Sequence, residues 1–135
     1  MSIFISLVMF ALALLHIYWG HGGNWPGNDR QSLTDKVFGQ GNQFPSILAC
    51  YNVAAALILA GAVPLFTESI LFGARFSNYS WFNFIIALPL MIRGVGGYLP
   101  AVEKRWTQVF VRNNRLIYSP LCIGLALSYI FFGLQ

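Results

Sequence analysis

Polar positions are sparse in four stretches of this chain: Ser2 to Trp19, Phe44 to Phe66, Trp81 to Leu99 and Leu116 to Leu134. Each is close to the ~20 residues that carry a helix across a hydrocarbon core ~30 Å thick, and a helix satisfies its own backbone there. The pattern predicts an all-α fold, a four-helix transmembrane bundle forming a single integral membrane domain over residues 1–135. Between the apolar stretches, polar and charged residues gather at 28–43, 67–80 and 101–115. Ser32 is predicted to cap a short turn in "SLTDKVFG", whose Val37 and Phe38 suit a membrane interface. In the third connection Trp106, Val109, Phe110 and Asn113 recur at near-helical spacing, which predicts a short surface helix. Pro120 falls in the first turn of the fourth predicted span, where its missing amide has no intrahelical acceptor to lose.

Composition strengthens the membrane reading: 57% of residues are hydrophobic and 9% charged, against roughly 25% charged in soluble domains. Arg30 and Lys36 fall in the first connection, Lys104, Arg105, Arg112 and Arg115 in the third, and Arg75 in the second. With alternating spans, the positive-inside rule places the first and third connections in the cytoplasm and both termini outside. The net charge of +4 therefore reports orientation. The basic residues are too few and too close to the membrane for a nucleic-acid surface, so no nucleic-acid partner is expected. The first span lacks a basic leader and a small-residue cleavage site, and is expected to be retained rather than removed as a signal peptide. Trp19, Trp25, Tyr79, Trp81, Trp106 and Tyr118 lie near segment ends, as interfacial anchors do.

Chemistry can reside only where polar groups enter the apolar pattern. "LHIYWGHGGNWPG" closes the first span, and helical geometry puts His16, Trp19 and Gly20 on one face. "LPLMIRGVGGYLP" sets Arg93 one turn before the predicted helix end, after a kinking Pro89. Asn114, Tyr118 and Ser119 open the fourth span at the same depth. The expected convergence is a polar pocket between helices, with Glu103 within reach from the loop. In it His16 accepts or donates a proton and Arg93 holds an anionic or carbonyl oxygen. Trp19, His21 and Trp25 cover the ligand, while Asn114, Tyr118 and Ser119 orient it. Plainer readings stand beside these: an interhelical hydrogen bond for His16, snorkelling towards headgroups for Arg93, and helix packing for Asn52. Cys50 and Cys122 read as buried apolar thiols. No metal site is predicted, no catalytic motif is present and no cofactor is indicated. Asn78-Tyr79-Ser80 has the form of a glycosylation acceptor and is read as chance.

At "LHIYWGHGG" and "NNRLIYSPLC" the sequence resembles the small bacterial membrane proteins of the DUF3995 family, a domain of unknown function. Leu15-His16, Tyr18-Trp19, Gly22-Gly23, Arg93 with its following glycines, and Tyr118-Ser119-Pro120-Leu121-Cys122 carry the likeness. The resemblance implies a four-helix protein of the bacterial inner membrane and brings no activity or cofactor with it. Three functions fit: binding of a lipid or amphipathic small molecule near the cytoplasmic leaflet, with acid–base chemistry as an option; an accessory or immunity-type subunit binding a protein partner; and a small transporter acting as a homodimer.

Overall fold

A computed structural model describes residues 2–41, 43–67 and 80–134; Glu68, Arg75 and Asn78-Tyr79 lie outside them. Helix α1 spans Ser2–Gly20, α2 Arg30–Leu33, α3 Ile47–Thr67, α4 Trp81–Gly96, α5 Pro100–Glu103, α6 Gln108–Asn113 and α7 Ser119–Gly133. A π-helical turn, Thr34–Phe38, follows α2, and another, Asn114–Tyr118, joins α6 to α7. Among the described residues there is no strand, and the fold is the predicted all-α bundle. Three helical runs are long and apolar enough to cross a membrane: Ser2–Gly20, Ile47–Phe66 and Gln108–Gly133. This is the construction of a helical membrane protein.

The boundaries depart from the sequence pattern for identifiable reasons. The second span starts at Ile47 rather than Phe44 because Ser46 caps it, its hydroxyl accepting from the Ala49 amide at 3.2 Å. The third helix stops at Gly96, not Leu99, because Leu99 precedes Pro100 and is held extended at φ −71° and ψ 124°. At 16 residues it is about 24 Å long, shorter than a typical hydrocarbon core. The fourth span continues the surface helix predicted around Trp106, so the helical path is unbroken from Gln108 to Gly133. Pro120 falls in the first turn of α7, as expected, directly after the wider π turn that continues the helical run. Asp29, not Ser32, caps α2: its carboxylate accepts from the Ser32 amide at 2.7 Å.

The helices form two antiparallel pairs, α1 with α3 and α4 with α7; direct contact between α3 and α4 is slight. An apolar groove of about 490 Å³ lies between them, walled by Ala56, Ile85 and Pro89 among others, with Asn52 on its rim. What unites the pairs is a core to which every long helix contributes: Ile5 and Met9 from α1, Ala60 from α3, Ala87 from α4, and Leu125, Tyr129 and Phe132 from α7. At its centre the Tyr129 hydroxyl donates to the Ala60 carbonyl at 2.8 Å, fully buried. Sequence explains why that carbonyl accepts from another helix. Pro64 lies four residues on, inside α3, and has no N–H to donate back. All described Lys and Arg residues lie towards the end of the bundle that carries Gly20, Ile47, Gly96 and Gln108, called here the basic end.

Removing only the Tyr129 hydroxyl, with Tyr129→Phe, strands the Ala60 carbonyl and should lower stability by about 1 kcal/mol. Pro64→Ala restores an intrahelical donor, so the same Tyr129→Phe change should cost much less in that background. Unfolding midpoints of the four proteins in one detergent measure the coupling; an equal cost in both backgrounds would refute it.

Candidate functional site

The chain leaves α1 through a tight glycine motif. The Gly22 amide donates to the Trp19 carbonyl at 3.1 Å and the Gly23 amide to the Tyr18 carbonyl at 3.0 Å, with Gly22 at φ 93°. This is the left-handed helix stop that glycine permits. Trp19, 6% exposed, donates from Nε1 to the Trp25 carbonyl at 2.7 Å. Arg30 returns from the loop, donating from Nη2 to the Trp19 carbonyl at 3.0 Å and from Nη1 to the Gly23 carbonyl at 3.1 Å. Its guanidinium lies 4.5 Å from the centre of the Phe44 ring. The loop thus adds side-chain donors to the carbonyls at the helix end, and much of the segment that closes the first span is occupied in holding its own shape.

His16 projects into a cleft of about 650 Å³ between α1, α3 and the first loop, with Trp19, Phe38, Phe44, Cys50 and Val53 among its walls and Gln43 and Ser46 as polar neighbours. The ring meets Trp19 edge-on at 5.0 Å between centres. Its Nδ1 is 2.8 Å from the Leu12 carbonyl. A carbonyl can only accept, so Nδ1 carries a proton, and in the neutral ring Nε2 is the free acceptor. His21 turns elsewhere, hydrogen-bonded through Nε2 to the Tyr51 hydroxyl at 2.8 Å, and the Trp25 ring is 64% exposed. Neither lines the cleft.

Arg93 belongs to a second neighbourhood, where α4 meets α6 and α7. It donates from Nη1 to Asn114 Oδ1 at 3.0 Å, and Asn114 in turn donates from Nδ2 to the Gly97 carbonyl at 2.8 Å. Asn114 and Ser119 are fully buried, and Ser119 Oγ has no hydrogen-bond partner. The guanidinium stands 5.8 Å from the Trp106 ring and 6.0 Å from the Phe110 ring, within cation–π range. Glu103 does not join it. Both carboxylate oxygens are taken by Arg115 at 2.6 Å each, and this bidentate contact holds the Glu103 carboxyl below the usual carboxylate range.

The two neighbourhoods flank the Thr34–Phe38 turn. Val37 and Phe38 face the His16 cleft. On the other side the Lys36 carbonyl accepts from the Tyr118 hydroxyl at 3.0 Å, and the Asp35 carbonyl from the Thr107 hydroxyl at 2.7 Å. The Gly39 carbonyl accepts from the Thr107 amide at 3.0 Å. Of the predicted site residues, the structure therefore brings His16 together with Trp19, and Arg93 with Asn114 and Ser119. Tyr118 clamps the loop, and the two groups do not share one pocket. Sequence reasoning passed over Arg30, Thr107, Trp106, Phe110 and Gly97 as site-forming residues. Thr107 carried a legible capping signal, a threonine directly before a helical pattern; its hydroxyl accepts from the Phe110 amide at 3.3 Å.

Among the described residues no group of histidine, cysteine and carboxylate side chains is placed to hold a metal ion. Gly97 explains how the Arg93 node closes. A Cβ there would run into Ser119 Oγ, lie 2.6 Å from Asn114 Nδ2 and lie 3.0 Å from Arg93 Nη1, whereas a Cβ on Gly96 would meet nothing within 4 Å. Gly97→Ala should destabilise by about 1–3 kcal/mol through overpacking. Gly96→Ala should be neutral or gain up to about 1 kcal/mol. Paired unfolding curves in detergent check this, and a neutral Gly97→Ala would show that the node is looser than described.

No curated protein and no solved structure matches the chain. The apolar helices, the glycine exit after Trp19 and the Arg93 node lie largely within residues 9–129, the span that matches DUF3995, a family described as protein of unknown function. The chain belongs to the DUF3995 family.

Proposed function

We propose that the protein binds an amphipathic small molecule, of the lipid class or similar to it, in the cleft lined by His16 at the basic end of the bundle. The observation that carries this reading is the cleft itself. Its volume of about 650 Å³ falls in the range of small-molecule sites, and mostly apolar walls with a few placed polar groups are what such a site needs. His16 is the principal polar contact. With Nδ1 committed to Leu12, Nε2 is free to accept from a ligand hydroxyl or to exchange a proton with it. The positive-inside rule orients the basic end to the cytoplasm, and the family resemblance points to a bacterial inner membrane. The ligand would then enter from the cytoplasmic leaflet, its apolar part against Phe44, Ala49 and Val53.

Native mass spectrometry of protein released from mild detergent tests the proposal. Wild type should carry one defined small-molecule adduct. His16→Ala, which removes the polar contact, and Ala49→Phe, which fills the cleft, should each lose it while keeping a near-native unfolding midpoint. Wild type carrying only exchangeable bulk lipid would sink the proposal, and recovery of a stoichiometric protein instead would favour an accessory subunit.

A further inference from the structure

We infer that Arg93 forms a second binding site, separate from the His16 cleft, whose ligand is a phosphate group at the level of the lipid headgroups. A guanidinium carries five N–H donors and no acceptor, and Arg93 places one on Asn114 Oδ1. Two acceptors of the node each take a hydrogen bond already: Asn114 Oδ1 from Arg93, and the Gly97 carbonyl from Asn114 Nδ2. Ser119 Oγ, fully buried beside the same glycine, makes no hydrogen bond at all. The node therefore has donors to spare: the remaining Arg93 N–H groups, and the Ser119 hydroxyl, which is unpartnered as donor and as acceptor. An oxygen-rich anion supplies acceptors for them.

Charge points the same way. Among the described acids, Glu103 is held by Arg115 through both oxygens, Asp29 caps the Ser32 amide, and Asp35 accepts from Gln31 at 3.0 Å. None pairs with Arg93. The cation is nevertheless fixed, by Asn114 on one side and by the Trp106 and Phe110 rings. A guanidinium whose plane is set by neighbours and whose outer edge is unpaired suits the two-oxygen grip of a phosphate better than a lysine would. Depth selects the source. Arg93 lies one turn from the end of α4; Ile92, next to it in sequence, and Leu116, two residues after Asn114, are exposed apolar residues that suit acyl chains. A phosphodiester headgroup and a free phosphate share the recognition chemistry, and the two are separated by experiment.

The test offers detergent-solubilised protein a mixture of phosphatidylglycerol and diacylglycerol, which differ in the phosphate headgroup, and counts retained lipid by native mass spectrometry. Wild type should keep one phosphatidylglycerol and discriminate against diacylglycerol. Arg93→Gln should weaken retention at least about tenfold, or about 1.4 kcal/mol. Arg93→Lys should lose part of it, and Trp106→Leu, which leaves the charge and frees the guanidinium, should weaken it as well. Should Arg93→Gln fail to fold, the Lys and Leu variants carry the test. Leu14→Ala, at an exposed position of α1 that belongs to neither site, should leave retention unchanged. Competition by inorganic phosphate alone would assign the site to a soluble phosphate compound; retention that inorganic phosphate does not disturb would assign it to the headgroup. Equal retention of diacylglycerol, or full retention by the folded Arg93 variants and Trp106→Leu, would overturn the inference.

Discussion

A backbone carbonyl in hydrocarbon has no water to turn to, and in this chain one such carbonyl ties the bundle together. Pro64 deprives the Ala60 oxygen of its partner in α3, and Tyr129, from the other helix pair, supplies it. The bond fixes the rotation of α7 about its axis, because only one face of α7 can present Tyr129 to α3. Leu125, Ala126 and Phe132, on neighbouring turns of that face, are buried with it. A proline that would weaken a soluble helix here specifies how two helix pairs meet.

The basic end obeys the same rule with other residues. Helix ends and π turns leave carbonyls open, and donors distant in sequence close them: Arg30 on Trp19 and Gly23, Tyr118 on Lys36, Thr107 on Asp35, Asn114 on Gly97. These bonds lock the first loop against α6 and leave the Thr34–Phe38 turn as a wall common to both neighbourhoods. One face of that turn shapes the His16 cleft, and the opposite face is held by the helix that carries Asn114. A ligand wedged against Val37 or Phe38 would press on the same short element that Thr107 and Tyr118 grip, so the two sites share a mechanical boundary without sharing a pocket.

The hydrophobic pattern made the helices legible, because crossing a membrane demands length and apolarity that composition alone displays. Their ends were less so, since Ser46, Leu99 before Pro100, and the π turn before Pro120 act within one or two residues. The site was legible only in depth. His16, Arg93, Asn114 and Ser119 do lie near one end of the bundle, as their distances from the helix ends imply. Depth gives height but no direction around the bundle axis. That direction follows from the pairing of α1 with α3 and α4 with α7, which depends on Tyr129, on small residues such as Gly94 and Gly97, and on a loop that reaches across. None of these leaves a periodic trace in the sequence.

The burial of Asn114 bears on what Arg93 is for. An arginine that merely snorkels keeps its rotamer freedom and its hydration, and gains nothing from a fully buried amide beneath it. Asn114 accepts from Arg93 and donates to the Gly97 carbonyl at once, so it fixes the guanidinium against the backbone of the same helix. That fixing costs side-chain entropy, and burying the amide requires the close approach that Gly97 permits. If Arg93 binds phosphate as proposed, a rigid, aromatic-flanked cation suits the task, because the ordering cost is met in folding rather than at binding. A free surface charge gains nothing from such an arrangement, whereas the proposed recognition of a phosphate would draw on it.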